Sequence, residues 1–443
     1  MPENGLHKLW ARTQLWVWIG LFLTPILGYL WLHNPQLADH KIHLTYMAWG
    51  NPEQQRTDEQ MLDLFQTQNP DIAVHYLMVP GAPYPQKMQV MLASNTEPDV
   101  FRVDLYQLPR LIPMGYFRPL DDFMAADEKA GLFRRADYVP QALNEVSYRG
   151  QTYGLNTLFG GKLIYYNKDL FQAAGLTDPF ELYQQGHWDI AAFLHAAQTL
   201  TRRDKNGRLE SLGMRLENLD VWWLIWLYGG EIIDSQHQVY VDQPQAIAGL
   251  TFFNDLMHKY RVVPKVGETI PGQLSFETGM LGMTSGFAGE SPRYRKQIGR
   301  QFNWDVVPIP TGPTGRHALV KGNGLMLSVR SRHPEAGWRL IRFMCGPQAE
   351  QAYCGDQLRR AIPTLLPVAA SKAYLQATQP PYNVAAFTNL YQDGRQLPVT
   401  DRWADWQPIL GRWVERLTLQ KVTPEEAAKG MAQELRITFP PVQ

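Results

Sequence analysis

Apolar and polar positions alternate with strand-like and helix-like spacing from residue 41 onward. The alternation that begins at Ile42 predicts a strand, and the apolar face after Asn51 predicts a helix. Strand signals return at Ile72–Val79 and Asp99–Val103, with a helical segment at Tyr84–Ala93 between them. Since strands and helices alternate, we expect an α/β fold with a parallel sheet and right-handed crossovers.

Two residues with ligand-binding chemistry stand at the ends of predicted strands. Trp49 closes the first strand, and Asp104 follows the third. Ligands on parallel sheets bind outside the carboxyl ends of the strands. A buried Trp or a helix-capping Asp is the commoner outcome for either residue alone. Their equivalent positions nevertheless make the pair a candidate ligand site.

A glycine-containing strand in the stretch Gly150–Phe171 predicts a place where the chain crosses between two domains. Gly154, Gly160 and Gly161 precede or enter its apolar run, and glycine permits backbone angles that a flexible crossing uses. Taken alone, the stretch also fits an ordinary buried strand with a flexible entry. A second crossing is predicted at Lys321–Arg330, as a glycine turn that leads into a strand.

Beyond the first crossing, a second α/β unit is predicted, and it is rich in aromatic residues. The run Val221–Trp226 contains Trp222, Trp223 and Trp226, more aromatic residues than one buried helix face needs. Core packing is the default for at least two of these three. The segment Phe276–Gly289 is predicted to deliver Phe287 to a glycine-flanked loop. The C-terminal part is predicted to be helical, because Trp403, Trp406 and later apolar residues recur at three- and four-residue spacing.

The N-terminal segment predicts export from the cytoplasm. Thr13–Leu32 is twenty residues without a charge, which is long enough to span a bilayer, and Lys8 and Arg12 precede it. An uncleaved signal anchor and a cleaved signal peptide both fit this segment, and its length favours the anchor. We therefore expect the rest of the chain on the periplasmic or extracellular side of the cytoplasmic membrane, tethered by this helix if it is not cleaved.

Composition narrows the possible functions. The chain has 42 Lys plus Arg and 42 Asp plus Glu, so its balanced charge offers no footprint for nucleic acid. Its 14 Trp, 20 Tyr and 18 Phe suit a site that stacks rings on a ligand. Cys345 and Cys354 are too few for a zinc cluster, and a break at Gly346-Pro347 leaves a disulfide between them possible.

Catalytic motifs are missing from the sequence. It contains no GxxxxGK loop and no HExxH or GxSxG motif. Its adjacent carboxylate pairs, Asp121-Asp122 and Glu425-Glu426, stand at predicted helix starts, where they cap rather than catalyse. We therefore expect a protein that is not an enzyme and needs neither cofactor nor metal.

The order of segments from about Ile42 to the C-terminus resembles the family 1 extracellular solute-binding proteins, the sugar receptors of ABC importers, which include the maltose-binding protein. No single motif is specific, but the set is colinear. The segments that carry the resemblance are Ala48-Trp49-Gly50, Ala93–Val100, Phe117–Phe123, Tyr153-Gly154, Tyr166–Leu170, Trp188-Asp189, Phe276–Phe287, Lys321–Arg330 and Thr423–Ala428.

The resemblance implies a two-lobed fold with a ligand cleft that shuts by hinge closure. The implied first lobe is 41–155 plus 319–366, and the second is 156–318 plus 367–443. It also implies capture of a sugar or polyol and delivery to the permease subunits of an ABC transporter. Because Phe159 or Gly160 stands near where the maltose-binding pattern has a hinge carboxylate, a maltose-type ligand is not favoured.

Such a cleft needs aromatic rings that cover the apolar faces of a sugar and polar groups that bind its hydroxyls. Matching positions give Trp49 and Asp104 from the first lobe, Phe287 from the second, and Trp406 with Trp403 for the C-terminal cleft aromatic. The further candidates are Trp222, Trp223, Tyr84, Asn323 and Arg360.

Two other function classes remain open at this point. A sensory sugar-binding module that reports to a membrane partner fits the same sequence, and the predicted anchor suits it. A glycoside hydrolase also uses aromatic clefts, but it needs two carboxylates on opposite sides of a bond, which the sequence does not offer.

Overall fold

The computed structural model describes residues 41–216, 220–265, 268, 274–355, 361–376, 379–398 and 402–439. The strands are β1 (Ile42–Trp49), β2 (Ile72–Val79), β3 (Val100–Asp104), β4 (Ser147–Tyr148), β5 (Gln151–Thr152), β6 (Gly154–Asn167), β7 (Arg202–Arg203), β8 (Leu209–Arg215), β9 (Leu281–Phe287), β10 (Trp304–Pro308), β11 (Ala318–Leu327) and β12 (Gly394–Gln396).

Helices fill the connections between the strands. They are α1 (Pro52–Gln68), α2 (Tyr84–Ala93), α3 (Leu108–Leu111), α4 (Asp121–Lys129), α5 (Pro140–Glu145), α6 (Lys168–Ala173), α7 (Pro179–Gln184), α8 (Ile190–Leu200), α9 (Asp220–Trp226), α10 (Pro244–His258), α11 (Ser291–Ile298), α12 (Pro334–Met344), α13 (Pro347–Cys354), α14 (Leu366–Ala369), α15 (Lys372–Leu375), α16 (Ala385–Thr388), α17 (Leu390–Asp393), α18 (Trp403–Thr418) and α19 (Pro424–Thr438).

The predicted α/β pattern at the start of the chain is confirmed. Strands β1, β2 and β3 are parallel, with α1 and α2 as the crossovers. The Asn51 side chain accepts hydrogen bonds from the amides of Glu53 and Gln54, and Gln54 bonds back to Asn51, which forms a capping box. The predicted strand at Asp99–Val103 is shifted by one residue, so that Asp104 is its last residue.

The main sheet is mixed, and its central strands β11 and β6 join the group of β1–β3 to the group of β7–β9. Its strand order is β2-β1-β3-β11-β6-β9-β8-β7, with β10 beside β6 and β12 beside β11. The first half of β6 pairs with β11 from Gly154 to Gly161. Its second half pairs with β9 and β10, from Lys162 to Asn167. One continuous strand therefore belongs to both groups.

The reason predicted for the β6 glycines, unusual backbone angles, is wrong. None of Gly154, Gly160 and Gly161 has a positive φ. A Cβ at Gly154 would lie 2.6 Å from the carbonyl oxygen of Leu325, and one at Gly161 would lie 2.8 Å from Cδ1 of Leu390. These two glycines permit close packing, not unusual backbone angles. Similarly, β11 is continuous through its glycines, so the predicted glycine turn at Lys321–Arg330 is not present.

Hydrophobic residues form separate clusters on the two sides of this junction. Beyond it, Tyr165, Trp222 and Trp304 belong to a large cluster with α8, α9, α10, α18 and α19. Around β1–β3, Leu44 and Trp338 belong to a second cluster, and a third cluster, which includes Met47 and Phe101, lies on the other face of these strands. The sheet thus has a core of its own at each end.

Two further expectations are resolved. The helix break at Gly346-Pro347 is confirmed between α12 and α13, but Cys345 and Cys354 are buried and form no disulfide. The predicted anchor Thr13–Leu32 lies outside the described residues. Within the described part of the chain, none of the helices combines the length and apolar character needed to cross a bilayer.

Candidate ligand-binding cavity

A cavity of about 670 Å³ lies where β3, β11 and β12 meet. This volume is within the range of small-molecule sites, roughly 300–1,000 Å³. Its polar and aromatic lining consists of Asp104, Tyr106, Asn144, Glu145, Ser147, Tyr148, Ser235, Lys321, Gln396 and Gln407. Its apolar lining includes Leu105, Leu108, Pro109, Ile112, Val320, Leu397 and Pro398.

Strand register explains why distant parts of the sequence line one cavity. Asp104 is the last residue of β3 and pairs with Asn323 of the antiparallel β11, which places Lys321 just beyond that pair. The first residues of β11 pair with β12, and this brings Gln396 beside Val320. Glu145 is the last residue of α5, which precedes the β4–β5 hairpin.

The carboxyl group of Asp104 is held in a poorly solvated position. Burial raises its pKa to about 6, although the nearby ammonium of Lys321 opposes the shift and the Tyr106 hydroxyl donates a hydrogen bond to it. Burial also raises the pKa of Tyr106. At pH 7 the Asp104 side chain is therefore mainly a carboxylate, and it offers a strong acceptor to a hydroxyl group.

A second carboxyl group of the cavity has the opposite protonation state. Burial raises the pKa of Glu145 to about 8, against the opposing effect of hydrogen bonds with Asn156 and Gln396. Asn156 Nδ2 donates to Glu145 Oε2 at 2.9 Å. At pH 7 Glu145 is mainly neutral, so it can both donate and accept a hydrogen bond. Sequence analysis did not single out this residue.

Phe287 lies at the end of β9, beside two lysines from the crossing strands. Its ring centre is 4.9 Å from Lys162 Nζ and 4.7 Å from Lys321 Nζ. Lys162 is buried and lies 3.2 Å from Asp220 of α9. Lys321, by contrast, is exposed and lines the cavity. Phe287 is partly buried. Its ring lies beside Lys321, which lines the cavity, but Phe287 itself is not a lining residue.

Trp49 and Tyr84 lie together, but the lining of the cavity includes neither of them. Their ring centres are 4.8 Å apart, and Tyr84 is buried with its hydroxyl donating to the carbonyl oxygen of Arg102 at 2.6 Å. The Trp49 carbonyl accepts a hydrogen bond from the Arg102 guanidinium, which also lies over the Trp49 ring. Tyr84 therefore packs within the protein, while Trp49 keeps some exposed surface at the end of β1.

Three of the candidate tryptophans lie in the interior. Trp222, Trp223 and Trp406 are each 0% exposed. The rings of Trp222 and Trp406 meet edge to face with centres 5.7 Å apart. The indole Nε1 of Trp223 donates to Asp220 at 2.9 Å. In this structure these rings form core packing between α9 and α18.

The remaining candidates are placed as follows. Asn323 is partly buried, and its side-chain oxygen accepts a hydrogen bond from the Thr157 hydroxyl at 3.1 Å. Trp403 begins α18, and its side chain lies outside the described part of the structure. Arg360 also lies outside the described residues.

Sequence reasoning identified Asp104 in the cavity but missed most of its neighbours. Tyr106 had a usable signal, because it follows Asp104 by two residues beyond a strand end. Lys321 had a weaker one, at the entry to a predicted crossing strand. Glu145 and Gln396 had none, since helix α5 and the short strand β12 reach the cavity only through tertiary packing. Among the described residues, no cluster of His, Cys, Asp and Glu could hold a metal ion.

Comparison with known proteins agrees with this architecture. The family described as bacterial extracellular solute-binding protein matches residues 49–351, more than half of the 443-residue chain. A putative binding protein of Brucella abortus (strain 2308) is 24% identical over 380 residues, which cover 84% of this chain and 87% of that protein.

Solved structures show the same fold. An ABC substrate-binding protein from Listeria monocytogenes, in complex with cycloalternan, has a TM-score of 0.77 at 23% identity and covers 91% of this chain and 100% of its own. Maltose-bound MalE3 of T. maritima has a TM-score of 0.72 at 20% identity, over 89% and 99% of the two chains. The mixed α/β architecture is therefore that of the two-lobed periplasmic binding proteins.

Proposed function

We propose, since the chain belongs to the bacterial extracellular solute-binding protein family, that it captures a sugar outside the cytoplasm and delivers it to an ABC permease. The observation that carries the sugar class is the lining of the cavity. It combines one carboxylate, one neutral carboxyl, one ammonium group, several amides and two tyrosines. Such a set of donors and acceptors, with little net charge, suits a neutral polyhydroxylated ligand.

Similar proteins support the same class of ligand. The Listeria monocytogenes protein is bound to cycloalternan and the T. maritima protein to maltose, and both share this fold. The proposed role is binding and delivery, without a reaction on the ligand. Further ligand contacts are expected from Trp49 and Phe287, whose rings keep accessible surface near strand ends.

The proposed lobes are 41–155 plus 319–366 and 156–318 plus 367–443. This division is supported by β6 and β11, whose residues pair with strands of both groups, and by the separate hydrophobic clusters at the two ends of the sheet. Strands β6 and β11 would then act as the hinge. A ligand favours closure only by the difference between its affinities for the closed and open forms.

Attachment to the membrane is part of the proposal. It rests on the uncharged segment Thr13–Leu32 and on the basic residues before it. A tether would hold the receptor near its permease and so raise the effective concentration of the receptor at the permease.

The test is a thermal-shift and calorimetry screen with maltose, maltotriose, mannotriose, tagatose and a set of amino acids. A bound sugar is expected to raise the melting temperature as its concentration exceeds Kd. The radius of gyration from X-ray scattering should decrease with the same ligand if the lobes close. Responses to amino acids alone would contradict the sugar class, and a response to a sugar that is turned over would contradict a pure binding role.

A further inference from the structure

We propose that Glu145 is a ligand-contacting residue of the cavity, and that its carboxyl group donates a hydrogen bond to a hydroxyl oxygen of the bound sugar. This assignment rests on the proposed function and names a residue that recognises the ligand. It concerns a side chain at the end of the short helix α5, close to the crossing strands.

The position of Glu145 supports a ligand contact. The side chain lines the 670 Å³ cavity and keeps part of its surface accessible there. It is supported from behind by Asn156 of β6, which is 2% exposed. A carboxyl group that is largely surrounded by protein yet faces a cavity can exchange its water contacts for ligand contacts at small cost.

The hydrogen bonds around Glu145 hold its carboxyl group in position at the cavity. Asn156 Nδ2 donates to Oε2 at 2.9 Å, so Oε2 already serves as an acceptor. Gln396, which also lines the cavity, forms a second hydrogen bond with this carboxyl group. Two amides thus hold the carboxyl plane in place, as a positioned donor requires.

Burial, more than the charges around the cavity, favours the neutral acid of Glu145. The titratable residues that line it with Glu145 are Asp104 after β3, Tyr106, Tyr148 and Lys321 of β11. Burial raises the pKa of Glu145 to about 8, against the hydrogen bonds from Asn156 and Gln396, and the negative charge of Asp104 adds a smaller increase. A ligand that fills the cavity removes more water from Glu145, and this favours the protonated form further.

Two carboxyl groups in one cavity then have different roles. Asp104, with a pKa of about 6, accepts hydrogen bonds as a carboxylate, whereas Glu145 donates one as an acid. A sugar hydroxyl can do both, because it carries one proton and two lone pairs. This complementarity selects neutral hydroxyl-rich ligands over anions and over ligands without donors.

The experiment measures Kd by calorimetry for the wild type and for Glu145→Gln, Glu145→Ala and Glu350→Gln. The ligand is whichever of maltose, maltotriose, mannotriose and tagatose binds the wild type most tightly, and it is used throughout. Glu350→Gln is the matched control, because Glu350 is also a buried carboxyl with a raised pKa but does not line the cavity. Circular dichroism at pH 7 verifies that each variant is folded.

We expect Glu145→Ala to weaken binding at least tenfold at pH 7, which is the effect of about 1.4 kcal/mol. Glu145→Gln should stay within about threefold of the wild type, because an amide supplies a donor and an acceptor in the same place. Between pH 7 and pH 9 the wild type should lose affinity by up to about tenfold as Glu145 ionises, whereas Glu145→Gln should not. Glu350→Gln should bind like the wild type at pH 7.

Several outcomes would overturn the assignment. Affinity of Glu145→Ala within twofold of the wild type would do so, as would identical pH profiles of the wild type and Glu145→Gln. An equal loss of affinity in Glu350→Gln would show that the loss in Glu145→Ala comes from general destabilisation. Absence of binding to every sugar of the screen at millimolar concentration would contradict the proposed function, whereas sugar binding that Glu145→Ala leaves unchanged would overturn this assignment alone.

Discussion

The ammonium group of Lys162 lies 3.2 Å from the carboxylate of Asp220, and each side chain is only 1% exposed. Asp220 also accepts hydrogen bonds from the indole of Trp223 and from the Ser285 hydroxyl. On its other side, Lys162 lies 4.9 Å from the ring centre of Phe287. A buried ion pair between β6 and α9 therefore supports the strand end that carries a candidate ligand-binding ring.

Removing the charge of Asp220 should destabilise the protein. We expect Asp220→Asn to lower the free energy of unfolding by about 3–5 kcal/mol, because the buried ammonium of Lys162 would lose its counter-ion. Urea denaturation followed by circular dichroism measures this change. The control is Glu425→Gln, which removes an exposed pair with Lys429 and should cost no more than about 0.5 kcal/mol. A loss below about 1 kcal/mol at Asp220 would contradict the structural role.

The two adjacent glycines of β6 should respond differently to alanine. A Cβ at Gly161 would lie 2.8 Å from Leu390 and 2.9 Å from Val320, whereas one at Gly160 has no atom within 4 Å. We expect Gly161→Ala to lower the free energy of unfolding by about 1–3 kcal/mol through overpacking. Gly160→Ala should leave it unchanged or raise it by about 0.5 kcal/mol, because the unfolded chain loses conformational freedom. Denaturant midpoints compare the two, and the reverse order would show that Gly160 is the constrained position.

Ligand affinity should fall at acidic pH because of Asp104. Its pKa of about 6 means that the carboxylate present at pH 7.5 is mainly protonated at pH 5. A hydroxyl of the ligand then loses a charged acceptor, and we expect binding to weaken by up to about tenfold. Calorimetry at the two pH values measures this. Asp104→Asn should bind more weakly than the wild type at pH 7.5 and should lose most of the pH dependence; an unchanged profile would exclude Asp104 as the titrating group.

Glu350 should make the protein less stable as the pH rises. Burial raises its pKa to about 7, while the backbone amides of Thr364 and Leu365 donate to it. Between about pH 4.5 and pH 7 the unfolded chain releases this proton and the folded chain keeps it, so stability falls with pH in this window. The full effect of Glu350 is about 3 kcal/mol. Above pH 7 its contribution is constant.

The measurement is the free energy of unfolding in urea at pH 5 and pH 7.5. Glu350→Gln should show a smaller difference between the two values than the wild type, because an amide does not titrate in this range. The same change between the two pH values in the wild type and in Glu350→Gln would contradict the effect assigned to Glu350. A larger loss of stability at pH 7.5 in the variant than in the wild type would contradict its sign.

Much of the fold was predictable because local patterns agree with tertiary structure. The limits of α2 match the helical segment predicted at Tyr84–Ala93, and α1 begins directly after Asn51 as predicted. These features depend on neighbouring residues, and proline, asparagine and apolar periodicity report them directly. The reasons given for the β6 glycines failed because a contact with Leu390 or Leu325 lies far away in sequence.

The candidate site shows the same division more sharply. The strand ends at Trp49 and Asp104 followed from β-α-β order alone, since side chains at the carboxyl ends of parallel strands share one edge of the sheet. The interior placement of Trp222, Trp223 and Trp406 did not, because composition counts aromatic rings without stating which neighbours cover them.

The amino-acid sequence was enough for the alternation of strands and helices, the start of α1, the resemblance to a solute-receptor family and the placement of Trp49 and Asp104 at strand ends. The folded chain set which polar groups share a cavity, because strand pairing brings Lys321 and Gln396 together and the packing of helix α5 adds Glu145. It also decided their protonation, since the pKa of Asp104 or Glu145 depends on the water that the packed chain removes from each carboxyl group.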